Sequence, residues 1–262
     1  MRNFVNLKAT DMAKIEDFFS GSNAVREVDE AMYGNLEPLK RAVDAMANAT
    51  YQCIYIIDYL KRNFLYVSQN QLFLCGNTAE QVQNMGYEFY VKYVPKEEQQ
   101  MLVELNEAGF AKFNTMPLDT RRSCFMSYDF HLDNSTSRHL VNHKITPFAL
   151  ADDGRVWLAM CVVSLANNST AGNIEFHLKG EQRYWLYDLD VHCWRECEMV
   201  KLRPQDKEVL MLSAQGLTVQ QIADKMCRSI DTVKTYKRVL FERLNVNSIT
   251  EALVTATNSG LI

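Results

Sequence analysis

The 262-residue sequence has no apolar run that approaches the roughly 18 residues needed to cross a bilayer. It also lacks a basic-then-apolar N-terminal signal, so we expect a soluble, cytoplasmic protein with no membrane partner. No two of its seven cysteines have the C-x-x-C spacing of a zinc knuckle, and most lie in apolar, strand-like runs. These absences exclude a membrane protein and favour reduced thiols over a disulfide-bonded fold.

The patterns that support catalysis are also missing. The sequence has no nucleophile–base constellation and no glycine-rich phosphate-binding loop, so we expect a protein that is not an enzyme. The pattern of a phosphoacceptor receiver domain is also absent before the C-terminal region. Such a domain would have a strand that ends in two acidic residues, then a phosphorylatable aspartate and, later, a lysine. Control by a histidine kinase is therefore disfavoured.

The composition indicates two domains, one of them basic. A chain of 262 residues with 47% hydrophobic content has enough material for two cores of ordinary size. The net charge is -4, but the residues from Leu202 onward carry 8 basic and 6 acidic side chains. A mildly basic end on an acidic body is typical of a DNA-binding module attached to another domain.

Hydrophobic spacing predicts the elements of the first two hundred residues. Apolar residues recur at helical steps between residues 10 and 47, where Thr10 would cap a first helix that includes Met12 and Phe19. Strand-like runs follow, with turns or short helices between them. We expect strands at Cys53–Asp58, Asn63–Ser68, Ser123–Leu132, Arg138–Leu150 and Val156–Ala166.

Three segments give this region a family resemblance. They are Tyr55-Ile56-Ile57-Asp58, Phe64-Leu65-Tyr66-Val67-Ser68 and Tyr93-Val94-Pro95-Lys96-Glu97-Glu98. Together with the order of two strands, several helices and three strands, they resemble a PAS domain over residues 45–168. The resemblance implies an α+β fold with an antiparallel sheet packed against helices. It also implies that the domain binds a small ligand, flavin or haem in the cleft between them, or mediates dimerisation.

The residues give little support for a cofactor in that cleft. No cysteine lies in the Asn-Cys-Arg signature of flavin-binding sensors, and His139 and His143 share a strand face without an evident third ligand. His192, Cys193 and Cys197 lie close in sequence and could hold a metal, but a ribbon end is the favoured interpretation. We expect no cofactor and no metal; a coloured redox sensor or photosensor is the alternative.

A pocket lined by aromatic residues and methionines is expected in the same cleft. Its candidate residues suit an apolar or aromatic ligand, although they suit an ordinary core as well. They are Ile56, Tyr66, Phe73, Met85, Tyr90, Phe125, Tyr128, Val141 and Met160.

A β-ribbon is expected after the PAS-like region. Asn173–Leu178 and Arg183–Leu189 alternate apolar and polar residues around Lys179-Gly180-Glu181. The ribbon either connects two domains or extends the sheet. The expected organisation is N-terminal helices at 1–47, the PAS-like domain at 48–170, the ribbon at 171–200 and a C-terminal module at 201–262.

Four short helices with well-specified turns are expected in the C-terminal module. Pro204 suits the first turn of a helix, and Thr218, Ser229 and Thr250 are placed to cap the three that follow. Asn245 stands where a left-handed residue closes the third helix. The second and third helices have the pattern of an all-α helix-turn-helix.

Seven groups of residues in this module occur at the spacings of a known family. They are Glu208-Val209-Leu210, Gly216-Leu217-Thr218, Gln221-Ile222-Ala223, Ser229, Thr232-Val233-Lys234, Leu244-Asn245-Val246 and Glu251-Ala252. With this set, the module resembles the helix-turn-helix domain of the LuxR family of bacterial transcriptional regulators. Three positions depart from the family pattern. Arg203 replaces the usual Thr or Ser cap, Tyr236 stands where His is common, and Ile249 stands where a basic residue is common.

The third helix carries the residues expected to contact DNA. Lys234, Thr235 and Arg238 share one face, and Asp231 and Glu242 lie near it. The resemblance implies that this helix enters the major groove of double-stranded DNA, where Arg can contact guanine and Thr a thymine methyl. Other hydroxyl and basic side chains are placed for phosphates. These are Thr218, Ser229, Thr232 and Lys237.

The small charge of the module bears on its partners. At +2, one copy should bind DNA weakly, so we expect a homodimer on two half-sites. The resemblance implies that the fourth helix supplies the contact between copies, here through Leu253 and Val254. The expected function is regulation of transcription by a ligand-sensing or dimerising front domain. The alternative is an adaptor that binds other proteins through a module that no longer contacts DNA.

Overall fold

The computed structural model describes residues 12–134 and 136–262, which divide into two units. The first unit extends to Cys197, and the second runs from Glu198 to Ile262. Among the helices described, none has the length and apolarity to span a membrane.

The strands of the first unit form a single sheet. Their bounds are β1 Cys53–Asp58, β2 Asn63–Val67, β3 Cys124–Asp133, β4 Arg138–Leu150, β5 Val156–Leu165, β6 Gly172–Leu178, β7 Arg183–Asp188 and β8 Cys193–Glu198. The order across the sheet is β2-β1-β5-β4-β3-β6-β7-β8, and the pairs from β2 to β7 are antiparallel. This sheet confirms the expected α+β class and the expected succession of two strands, helices and three strands.

Helices of the first unit precede the sheet or lie between β2 and β3. They are α1 Glu30–Gly34, α2 Leu36–Thr50, α3 Gln71–Leu74, α4 Ala79–Met85, α5 Glu88–Tyr93 and α6 Lys96–Asn114. Thr78 caps α4 in a capping box with Gln81, and acidic residues occupy the first turn of α6, as the helix dipole favours.

The strand β1 is buried on both of its faces. On one face, Ile54 and Ile56 form a cluster with Leu36 and Val43 of α2. On the other face, Tyr55 and Ile57 belong to the larger core that includes residues of α3 to α6. Alternation along a strand sends neighbouring residues to opposite faces, so adjacent positions of β1 serve different cores.

The ribbon extends the sheet. Strand β6 pairs with β3, for example Phe176 with Met126, and β7 and β8 continue outward. Lys112 of α6 lies with its Nζ 3.9 Å from the ring centroid of Trp185 and 5.6 Å from that of Trp194. These cation–π contacts attach the ribbon to the helix. The strand β8 was not predicted, because apolar and polar residues alternate little along its six residues.

The first predicted N-terminal helix is wrong. After Met12 the chain forms only a 3-10 turn at Ile15–Phe18, and Phe18 packs on the rings of Tyr87 and Tyr90. Asn106 Nδ2 donates to the Phe18 carbonyl, so tertiary contacts replace helical hydrogen bonds here. The expected cap Thr10 lies outside the described residues.

Four helices build the second unit: α7 Pro204–Ala214, α8 Val219–Lys225, α9 Ile230–Leu244 and α10 Ile249–Asn258. Thr218 and Ser229 cap α8 and α9 as predicted, and Asn245 closes α9 in the left-handed conformation at φ 53°. The predicted cap of α10 is wrong. Ser248 takes that role, because its side chain accepts from Glu251 N–H while Glu251 reaches back to Ser248.

Candidate DNA interface and ligand cavity

The helices α7 to α10 share one small core. Val209 and Leu210 of α7, Ile222 of α8, and Val233 and Leu240 of α9 are all fully buried. The apolar spacing of α9 therefore fixes which face of that helix points inward. Ile249, a departure from the family pattern, packs against this core, as does Tyr236.

The opposite face of α9 is open to solvent. Lys234 and Arg238 each keep 65% of their side-chain surface exposed, and Thr235 is exposed beside them. Its hydroxyl donates to the Asp231 carbonyl one turn earlier. The structure thus brings together the three residues expected to reach bases on a single exposed face.

Three of the four residues expected to reach phosphates lie around the starts of α8 and α9, and Lys237 lies midway along α9. Thr218 and Ser229 are exposed, whereas Thr232 and Lys237 are half-buried. Thr218 Oγ1 accepts from Gln221 N–H, and Ser229 Oγ lies 2.9 Å from Thr232 Oγ1. Hydroxyls at helix N-termini stand where anions are favoured, so this placement suits phosphate contacts.

A buried carboxylate fixes the start of α7 against the end of α9. Asp206 is fully buried and accepts from Arg203 N–H, Nε and Nη2 at 2.8–3.0 Å, and from Arg243 Nη1 at 3.3 Å. Burial by itself raises the pKa of Asp206, but the hydrogen bonds and charge of Arg203, helped by Arg243, lower it overall. Arg203 therefore replaces a hydroxyl cap by a reciprocal pair with Asp206, which the sequence did not indicate.

A cavity of about 50 Å³ lies between α6 and the sheet of the first unit. Its lining is apolar apart from Asn106 and Tyr128. The lining residues are Asn106, Gly109, Phe110, Phe113, Met126, Tyr128, Ile145, Pro147, Val156, Ala159 and Phe176. The volume exceeds the need of one water molecule and is about a third of the roughly 150 Å³ that holds a benzene ring.

Polar groups cluster in the core beside this cavity. The hydroxyl of Tyr55 is hydrogen-bonded to the hydroxyl of Tyr90 and to Nε2 of His143. His143 is fully buried, its ring lies 4.7 Å from that of Tyr128, and burial lowers its pKa to about 3. His143 Nδ1 has no hydrogen-bond partner among the described residues. The imidazole is thus neutral, and one of its nitrogens is available for another polar group.

The nine candidate pocket residues separate into several places. Only Tyr128 lines the cavity. Phe73, Tyr90 and Val141 belong to the core on the same side, and Met85 packs against it. Ile56, Tyr66 and Met160 belong instead to the cluster under α2, and Phe125 stacks on His177 at 4.6 Å. The alternation of side chains along the strands predicts that the sheet has two buried faces. It does not show on which face a helix leaves a cavity.

Two of the histidines considered for metals, His139 and His192, already have polar partners. His139 Nε2 lies 2.8 Å from Ser137 Oγ, and His192 Nδ1 lies 2.5 Å from Glu104 Oε1. Within the described residues, no group of three or more His, Cys, Asp or Glu side chains is arranged to hold a metal ion.

The family of the second unit follows from a comparison with known proteins. Residues 200–256 match the family of bacterial regulatory proteins described as the luxR family. The second unit is a luxR-family helix-turn-helix domain. The match covers α7, α8, α9 and most of α10, and it confirms the resemblance carried by the seven spaced groups of the sequence. No curated protein matches the sequence significantly.

Several solved structures resemble the chain at low identity. A ligand–DNA complex of VqmA from Vibrio cholerae has 17% identity, covers 83% of this chain and 89% of that chain, and has a TM-score of 0.32. A V. cholerae VqmA dimer without target DNA has 19% identity, covers 80% and 83%, and scores 0.31. A complex of phage VqmA with DPO has 14% identity, covers 88% and 91%, and scores 0.30. TM-scores of this size do not establish a shared arrangement.

Proposed function

We propose that this protein is a bacterial transcription regulator that binds promoter DNA through α9 of its luxR-family domain. The observation that carries the proposal is the exposed face of Lys234, Thr235 and Arg238 on the third helix of that domain. Arginine and lysine on such a face can reach guanine edges and phosphates in the major groove. The hydroxyls at the starts of α8 and α9 add anchoring contacts.

A gel shift across fragments of the source genome tests this function. The full chain should shift a small set of fragments, and Lys234→Ala and Arg238→Ala should each weaken that binding about fivefold or more, because each removes a contact of roughly 1–3 kcal/mol. Specific binding that survives both substitutions would show that another surface reads DNA.

The second candidate function is an adaptor that binds proteins through the same domain. The observation that favours it is the low charge of the module, with 8 basic against 6 acidic residues. An adaptor should shift no fragment even at low salt, where the attraction between basic side chains and phosphates is strongest. The gel shift therefore separates the two functions directly.

For the first unit, we propose a PAS-like sensor that holds a small ligand between α6 and the sheet, or that pairs two copies of the chain. The apolar lining of the cavity supports the ligand, and the buried ring of His143, whose Nδ1 has no partner among the described residues, packs against Tyr128 of that lining. Native mass spectrometry of the purified full chain tests both parts. An extra mass that the wild type retains and that Tyr128→Phe or His143→Phe loses supports a bound ligand. The mass of the assembly shows whether two copies pair.

A further inference from the structure

Two carboxylates share the face of α9 that is proposed to contact DNA. Asp231 stands in the first turn of the helix and Glu242 in the last, with Lys234, Thr235 and Arg238 between them. Steps of three, four and seven residues keep all five on one stripe. The charged positions along this stripe therefore run acidic, basic, basic, acidic.

Each basic side chain on the stripe is paired with one of the carboxylates. Lys234 Nζ lies 3.7 Å from Asp231 Oδ1, and Arg238 Nη1 donates to Glu242 Oε1 at 2.6 Å. The four side chains remain between 62% and 93% exposed, so solvent screens both pairs and they open at little cost. In the free protein, the basic groups available for DNA are thus partly neutralised within the helix itself.

The position of Glu242 is unfavourable for the helix alone. The C-terminal end of a helix carries partial negative charge, so an acidic side chain in the last turn is destabilising there. Asp231 differs, since a carboxylate in the first turn is favoured by the same dipole. Glu242 packs in no core, and the pair with Arg238 is the contact that its side chain makes in the described residues. Its placement therefore contributes little to the folding of α9.

We propose that Asp231 and Glu242 set the specificity of α9 by opposing its binding to DNA of unrelated sequence. The inference rests on the proposed DNA-binding function. On unrelated DNA the helix meets mainly phosphate oxygens, which are negatively charged and only accept hydrogen bonds. Each carboxylate repels them, and leaving the exposed pairs adds a smaller cost to the binding of Lys234 and Arg238.

A matched DNA site offsets this opposition. The major groove presents hydrogen-bond donors at the exocyclic amino groups of cytosine and adenine, and a carboxylate can accept from cytosine N4. A site that places such a group opposite Asp231 or Glu242 replaces the lost pair with a new hydrogen bond. The carboxylates thus weaken all binding but weaken binding to matched sites least.

Fluorescence anisotropy with a labelled duplex of random sequence tests the inference on the full chain. Glu242→Gln should tighten binding by about threefold to tenfold, since it removes a nearby repulsion and frees Arg238. The slope of log affinity against log salt, measured between about 50 and 200 mM NaCl, should steepen by up to about 0.9, the value for one phosphate contact. Asp231→Asn should act in the same direction.

The matched control is Glu208→Gln, which removes the same charge from the exposed surface of α7. It should change the affinity by less than about twofold, because charges away from the interface are screened. If Glu208→Gln tightens binding as much as Glu242→Gln, the effect comes from net charge alone and the inference is overturned. Unchanged or weaker binding by Glu242→Gln would overturn it as well.

A duplex selected from a random pool by the wild-type chain supplies the second readout. The ratio of affinities for the selected and the random duplex should fall in Glu242→Gln, by a factor no larger than the gain in affinity for the random duplex. If the wild type binds DNA and this ratio does not change, only the inference fails. If the wild type binds no duplex at the lowest salt, the proposed function fails with it.

Discussion

The buried carboxylate of Asp206 offers a sharp test of how the luxR-family domain is held together. Asp206→Asn keeps the shape of the side chain but removes its charge and turns one acceptor oxygen into a donor. That donor then faces the guanidinium groups of Arg203 and Arg243, which approach to between 2.8 and 3.3 Å in the native domain. The substitution therefore leaves buried donors without an acceptor.

The expected cost is about 3 kcal/mol of the free energy of unfolding. Breaking a buried ion pair by removing one partner costs roughly 3–5 kcal/mol, and the partial exposure of both arginines places this case at the low end. For a domain of this size, that loss lowers the midpoint of thermal unfolding by about 15 °C. The effect also has a pH dependence. Because the native pKa of Asp206 is lowered, its contribution is present above the unfolded pKa near 3.8 and is lost as the pH falls through the native value.

The two units can be followed separately in the intact chain. All three tryptophans, Trp157, Trp185 and Trp194, belong to the first unit, so their fluorescence reports on that unit alone. Circular dichroism at the helical band also detects the second unit. Asp206→Asn should shift the helical transition and leave the tryptophan transition unchanged. The control Asp224→Asn, on the exposed side of α8, should stay within about 0.5 kcal/mol. A loss below about 1 kcal/mol for Asp206→Asn would refute the reasoning.

Three further substitutions have expected outcomes. Gly109→Ala should stabilise the first unit by up to about 1 kcal/mol, measured by unfolding in urea, because alanine favours the helix. The added Cβ would approach only the flexible end of Met126, at 2.7 Å from Sδ. A loss of stability above about 1 kcal/mol would contradict this. Phe18→Ala should destabilise the same unit by about 3 kcal/mol by emptying the space beside Tyr87 and Tyr90, and a shift below about 1 kcal/mol would show that the N-terminal segment is dispensable. Ser229→Ala should lower the free energy of unfolding of the second unit by about 1 kcal/mol, because it removes the cap of α9. Unfolding followed by helical circular dichroism measures this, and no change would show that Ser229 does not stabilise α9 as its cap.

Local chemistry made the second unit predictable from the sequence. Pro204, Thr218, Ser229 and Asn245 each specify a helix end through a side chain or a backbone conformation, and the structure has all four where expected. The cap of α10 was misplaced because Ser248 and Thr250 are both suitable, and only the reciprocal contact with Glu251 decides between them.

The first unit was predictable in its order of elements but not in its site. Alternation separates Ile56 from Tyr55, yet it does not show that α2 covers Ile56 while the cavity side belongs to the face of Tyr55. The hydrogen bonds of Tyr55 with Tyr90 and His143 join residues 35 and 88 positions apart. Such contacts depend on how the sheet and helices pack, which local sequence does not encode.

The most direct test of the account is a dimethyl sulfate footprint of the full chain on a duplex that it selects. The reagent methylates guanine N7 in the major groove and adenine N3 in the minor groove, so it reports which groove α9 occupies. The account predicts protection of guanine N7 that is lost in Arg238→Ala, with adenine N3 still reactive. Protection of adenine N3 alone, or guanine protection that Arg238→Ala leaves intact, would contradict it.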